Sequence, residues 1–139
     1  MNKLGTLLTA LALLMLGIGS SLAAETTDTL AAIKAKGVLV AGVKDSTPPF
    51  GYIDEASRKI VGYDIDFIGA LAKRLGVQVE LKPVTSASRM PQLQEGHIDI
   101  IAATMTKNPE RAQVIDFSHA YFIAGQKFIT KKGTVTSLK

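Results

Sequence analysis

Residues 60–82 read IVGYDIDFIGALAKRLGVQVELK, and this run decides the fold. Ile65, Ile68, Leu71, Ala72 and Leu75 recur at helical spacing, Asp64 stands where an N-cap belongs, Lys73 and Arg74 fill the last turn, and Gly76 stops it. Immediately afterwards Val77, Val79 and Leu81 alternate with Gln78, Glu80 and Lys82, the period of a half-buried strand. An amphipathic helix running straight into a strand is the second half of a βαβ unit. Upstream, the apolar, β-branched run Val38 to Val43 supplies the first strand, preceded by a short helical stretch through Leu30 and Ile33. Thr47-Pro48-Pro49 breaks the chain, and Phe50–Ile53 with Ile60–Tyr63 flank the polar segment 54–59 as a hairpin.

Downstream the pattern repeats in shorter form. A polar turn at 85–88 opens a helix around Pro91 to Glu95, Gly96 ends it, and Ile98 to Ala102 form the next buried strand. Asn108 is spaced to cap a further helical turn with Pro109 at its first position. Tyr121 to Thr130 reads as a long apolar strand. Strand, helix, strand, helix, strand implies an α/β fold with a parallel sheet.

Composition narrows the function. With 139 residues and 47% apolar content the chain can bury a core, so it is no disordered polymer. The absence of cysteine excludes disulfides, thiolate metal sites, thiol nucleophiles and an acylated-cysteine anchor, and His97 and His119 alone leave little for a histidine-rich metal site. The net charge of +4 is spread along the chain, without the focused basic face that nucleic acid requires. No metal or cofactor is expected. The first 23 residues, with Lys3, an apolar run from Leu4 to Ile18, and Ser21-Leu22-Ala23 at the end, read as a secretory signal peptide cleaved after Ala23. The apolar run is shorter than the roughly 20 residues of a membrane span. An exported, cysteine-free chain points to a Gram-negative periplasm.

In α/β sheets ligands sit beyond the carboxyl ends of the strands. Those ends carry Lys44 after the first strand, Ser86 and Arg89 after the next, and Thr104, Thr106 and Arg111 after the third. Hydroxyls, backbone N–H groups and three cations suit a small anion. Arg111, in a first helical turn, faces the positive end of the dipole, and a planar guanidinium there can grip a carboxylate in two-pronged fashion. The competing reading is a solvated arginine paired with Glu110 or Asp116. Lys44 and Arg89 read first as solvated cations. Asp64 and Asp66 read as cap and dipole compensation, since residues two apart on a helix face different ways. Asp116, Ser118 and His119 do not make a triad, because adjacent strand residues point to opposite faces. Tyr52 and Tyr63 are expected to pack on the hairpin.

Several stretches, in order, carry a family likeness: Gly42 to Phe50, Ile60 to Asp66, Leu93 to Asp99, Met105 to Arg111, and Ile115 to Ser118 with Tyr121. From about Leu30 to Lys139 the chain resembles the family 3 solute-binding proteins of polar amino-acid ABC transporters. Segments 85–91 and 125–133 look most like the glutamate/aspartate-binding branch. The resemblance implies a type II periplasmic binding protein-like fold, with an incomplete first lobe over 24–120. A crossover strand and the start of a truncated second lobe would follow over 121–139. It further implies Arg111 as clamp for an α-carboxylate, helped by Thr104 and Thr106, with Lys44, Ser86 and Arg89 reading the side-chain carboxylate. Lys44 stands where some members of that branch have arginine, so glutamate, aspartate and glutamine all stay open. Delivery to a membrane permease is the implied role, without catalysis. The alternatives are an enzyme on the same fold, of the cyclohexadienyl dehydratase kind, or the sensing module of a receptor. As a fragment, the chain is expected to be unstable or oligomeric when expressed.

Overall fold

The structure is a computed structural model that describes residues 28–134 apart from 126 and 128. The expected signal peptide and residues 135–139 lie outside the described residues. Helix α1 (Thr29–Lys36) starts under Asp28, whose Oδ1 accepts from the N–H groups of Leu30 and Ala31 at 3.1 and 3.2 Å. Strand β1 (Val38–Val43) follows, then the short strands β2 (Ser46–Thr47), β3 (Gly51–Ile53) and β4 (Ile60–Val61). Helix α2 (Tyr63–Leu75), β5 (Gln78–Pro83), helix α3 (Arg89–Gln94), β6 (Ile100–Ala102) and a 3-10 turn (Arg111–Gln113) complete the order.

The main sheet runs β5-β1-β6 and is parallel throughout, with Val38 beside Gln78 and Ala41 beside Ile100. Strand β1 is central, which explains its near-continuous apolar sequence. Its alternation divides the core between two faces. Leu39, Ala41 and Val43 pack with Ile33, Ile68, Ala72 and Ala102 beneath α1 and α2. Val40 turns the other way, towards Val84, Ile98, Ala103 and Leu93 on the α3 side. Gly42 belongs to that second face, where a Cβ would lie 2.5 Å from Ile98 Cδ1. Helices thus cover both faces, as a parallel sheet requires. The expected hairpin is present as β3 and β4, Tyr52 opposite Val61, and the sequence reading missed β2, which pairs antiparallel with β3.

Two expectations are overturned. Asp64 does not cap α2. The helix begins two residues earlier than a cap at 64 would place it, the N-cap position is Gly62, and Asp64 is completely buried. The N–H groups of Tyr63 and Asp64 already find backbone acceptors in the preceding loop, Pro49 O at 3.0 Å and Phe50 O at 2.9 Å. With those donors satisfied, no side-chain cap is needed and the carboxyl group is free to turn inward. Residues 121–130 form no strand among the described positions. A strand needs a neighbour on which to pair, and none of the described strands pairs with the described residues of this segment. Its start is instead held by rings: Tyr121 stacks on Phe67 at 4.4 Å between centroids, and Phe122 meets Phe50 edge-on at 4.8 Å. Ile123 and Ile129 stand almost fully exposed.

Candidate functional site

The carboxyl ends of β1, β5 and β6 gather the residues picked out by sequence. Lys44 leaves β1, and its Nζ donates to Ser86 Oγ at 3.1 Å, across 42 residues of chain. Ser86 sits in a turn closed by reciprocal bonds. Thr85 N donates to Ser88 Oγ and Ser88 N to Thr85 Oγ1, both at 3.0 Å. That turn opens α3 and presents Arg89.

Arg89 is buried, with 6% of its surface exposed. Its Nη1 donates to the carbonyl of Ala103 at 2.5 Å, while its Nε meets no hydrogen-bond partner among the described residues. It takes part in neither of the ion pairs formed by described residues, Lys36 with Asp99 and His97 with Glu95. Burial, followed by the nearby charge of Arg111, lowers the Arg89 pKa from its ordinary value. Two guanidinium groups therefore feel one another, and one of them is buried with no ion-pair partner among the described residues. A buried polar nitrogen left unmatched is costly.

Arg111 is held by its own loop. Its backbone N–H donates to Asn108 Oδ1 at 2.8 Å, the expected cap, and its Nη1 donates to Thr106 O at 2.9 Å. Neither Glu110 nor Asp116 forms an ion pair with it. A hollow of about 350 Å³ lies between the 3-10 turn and α3, lined by Arg111, Asn108, Glu110 and Met90. Thr104 takes a left-handed backbone (φ 50°), unusual for a β-branched residue, and its hydroxyl donates to Ala103 O at 2.8 Å. Thr104 and Thr106 are exposed as residues, although the Thr104 hydroxyl is engaged with Ala103 and the Thr106 carbonyl with Arg111.

Lys44 and Ser86 are thus in direct contact, Arg89 and Thr104 share the Ala103 carbonyl, and Arg111 is tied to Thr106. A larger cleft of about 1150 Å³ opens beside residues 114–124, and of the six expected residues only Thr104 and Thr106 line it. Its other walls are largely apolar, among them Phe67, Ile98 and Ile101. The triad types stay apart in function: Ser118 Oγ donates to the carbonyl of His119. Tyr63 packs edge-on against Phe50 ahead of the hairpin and stacks on Tyr121.

Sequence reasoning missed Asp64 and Tyr121. Asp64 Oδ2 accepts from Thr104 N at 3.1 Å, and Tyr121 OH donates to Asp64 Oδ1 at 3.0 Å. Burial and the adjoining Asp64 carboxyl raise the pKa of the Tyr121 hydroxyl. A signal existed: Asp64, Ile68 and Ala72 are spaced i, i+4, i+8, and they are the three buried residues of α2.

A sequence model of the bacterial extracellular solute-binding proteins, family 3, matches residues 39–136. The chain belongs to that family. Among its relatives, the ABC transporter glutamine-binding protein GlnH of Bacillus subtilis (strain 168) is 46% identical over 110 residues, covering 77% of this chain and 40% of GlnH. The glutamate/aspartate import solute-binding protein of Escherichia coli (strain K12) is 39% identical over 112 residues, covering 76% of this chain and 37% of that protein. The chain therefore spans about two fifths of the length of these relatives. Among solved structures, the arginine-bound domain 1 of TmArgBP, a Phe57Trp mutant, superposes with a TM-score of 0.66 at 38% identity, covering 69% of this chain and 74% of that domain. The architecture is accordingly that of type II periplasmic amino-acid-binding proteins, seen over part of the fold.

Proposed function

We propose that this chain carries the first lobe of an ABC importer's solute-binding protein and that its ligand is an acidic amino acid, glutamate or aspartate. The observation that carries the reading is Arg89, buried, without an anionic partner among the described residues, and lowered in pKa by burial and by Arg111. A ligand carboxylate held close to the guanidinium would supply the missing charge. In this reading Arg111 grips the α-carboxylate with Thr104 and Thr106, while Arg89, Ser86 and Lys44 read the side chain. Lys44, already on Ser86, contributes a point charge rather than a fork.

The relatives named for glutamine and for glutamate/aspartate support a polar amino acid of this size. Micromolar capture corresponds to about −8 kcal/mol, within reach of a few charge-assisted hydrogen bonds in a closed cleft. Closure comes from a second lobe swinging over the ligand, the hinge motion of periplasmic binding proteins. After export to the periplasm and removal of residues 1–23, the loaded protein hands its cargo to a membrane permease. It binds and releases without catalysis and without a cofactor.

Calorimetric titration with glutamate, aspartate, glutamine and arginine tests the reading. Glutamate or aspartate should bind about tenfold or more tighter than glutamine, a difference on the scale of one charge-assisted bond. Arg111→Ala should weaken glutamate by a similar factor. Glutamine preferred over both acids would replace the acidic ligand, and a Kd unchanged within about twofold in Arg111→Ala would remove the clamp.

A further inference from the structure

Asp64 and Arg89 are the two charged side chain types buried in the described core, and they grip the same peptide group from opposite sides. Arg89 donates to the Ala103 carbonyl, and Asp64 accepts from the Thr104 N–H that belongs to the same amide. An acceptor on the N–H and a cationic donor on the C=O polarise that amide in one direction, so each bond strengthens the other. The two bonds also fix a conformation that the chain avoids on its own, because Thr104 is left-handed without being glycine. The other oxygen of Asp64 takes the Tyr121 hydroxyl. Tyr121 in turn is stacked on Phe67, and its carbonyl accepts from Tyr63 OH at 3.1 Å.

We propose that Asp64 is a positioning residue for ligand capture: its carboxyl group orients the Ala103–Thr104 amide that aims Arg89, and ties that amide to the segment beginning at Tyr121. The role assigned to Arg89 rests on the acidic-ligand reading above, whereas the orientation of the amide does not. Asp64 never touches the ligand. It acts through one peptide group on the buried guanidinium, and through Tyr121 on the stretch by which the chain departs from the sheet. A loose carboxyl group would leave Thr104 free to relax to an ordinary backbone conformation, carrying the Ala103 carbonyl away from Nη1.

The test combines amide hydrogen exchange on the 15N-labelled chain with glutamate calorimetry. Asparagine at 64 can still accept from Thr104 while its amide nitrogen donates to the phenol oxygen of Tyr121, which works as donor or acceptor. Asp64→Asn should therefore keep both the Thr104 exchange rate and the glutamate Kd within about threefold. Asp64→Leu should speed Thr104 exchange and weaken glutamate by about tenfold or more, with exchange in β1 held within about threefold. Should the leucine variant fail to fold, Tyr121→Phe decides, because it leaves the buried carboxyl group in place. Its Thr104 amide should exchange at least about threefold faster. Unchanged Thr104 exchange in Tyr121→Phe, or losses in Asp64→Asn as large as in Asp64→Leu, would overturn the proposal. If the unaltered chain binds no glutamate, the acidic-ligand reading falls, and the exchange rates still decide the positioning role.

Discussion

Gly62 shows how much one residue can decide. It lies at φ 131°, and a Cβ there would sit 2.5 Å from the Phe50 carbonyl oxygen, the same carbonyl that receives the Asp64 N–H. Both the backbone angle and the space demand glycine, and together they let α2 begin without a side-chain cap. Gly62→Ala should cost about 1–3 kcal/mol in urea unfolding. An unchanged midpoint would mean that the loop at Pro49 and Phe50 yields freely. A second residue-level case is Asp54, whose Oδ2 accepts from Ser57 Oγ at 2.6 Å and Ser57 N at 2.8 Å. The hydroxyl first, and then the amide, hold its pKa below the usual carboxylate range. A depressed value means that the folded form binds the proton less readily than the unfolded one. The contribution is therefore present above the unfolded value and fades as pH falls through the folded value. Ser57→Ala should move the Asp54 titration upward, read from its carboxyl carbon shift by NMR.

Helix α2 is the element on which core and site both depend. Its C-terminal end follows local chemistry: Gly76 is left-handed at φ 73°, and its N–H closes on Ala72 O and Lys73 O. Ile68, with no exposed surface, is the middle of the buried line and faces Leu39, Ala41 and Val43 in the central strand. Ile68→Ala should destabilise the chain by about 2–5 kcal/mol, a range set by how far the cavity can collapse. Denaturant unfolding followed by circular dichroism measures it, and a loss under about 1 kcal/mol would show that α2 is not anchored there. The apolar stripe was readable because its period is local. The inward turn of Asp64 was not, because the groups that satisfy it lie 40 and 57 residues further along the chain. The reverse error occurred at 121–130, where apolar composition suggests a strand and the hydrogen-bonding partner that would make one is not in the described sheet.

The molecule as a whole brings three separate loops to one rim of the parallel sheet. Only there do Lys44 and Ser86 meet, and only there does Arg111 come close enough to Arg89 to lower its pKa. Ligand that binds the folded state alone stabilises it by about 2.7 kcal/mol at one hundred times Kd. Glutamate at that level should raise the melting midpoint by at least about 5 °C, and arginine at equal concentration should leave it in place. A rise with arginine and none with glutamate, followed by differential scanning fluorimetry with an external dye, would reverse the charge assigned to the ligand.

The central place of the strand at 38–43 came from the pairing of distant segments, whereas chain order and periodicity by themselves determined the α/β class, that apolar strand itself, the body of α2 and the list of cations and hydroxyls at the strand ends. Each of these follows from interactions among near neighbours or from the alternation of apolar residues. Tertiary structure alone decided that Arg89 is buried with no ion-pair partner among the described residues, that Asp64 turns inward, and that both hold one amide between them. Burial and hydrogen-bond satisfaction are properties of surroundings assembled from distant parts of the chain, and no spacing within a single helix or strand encodes them.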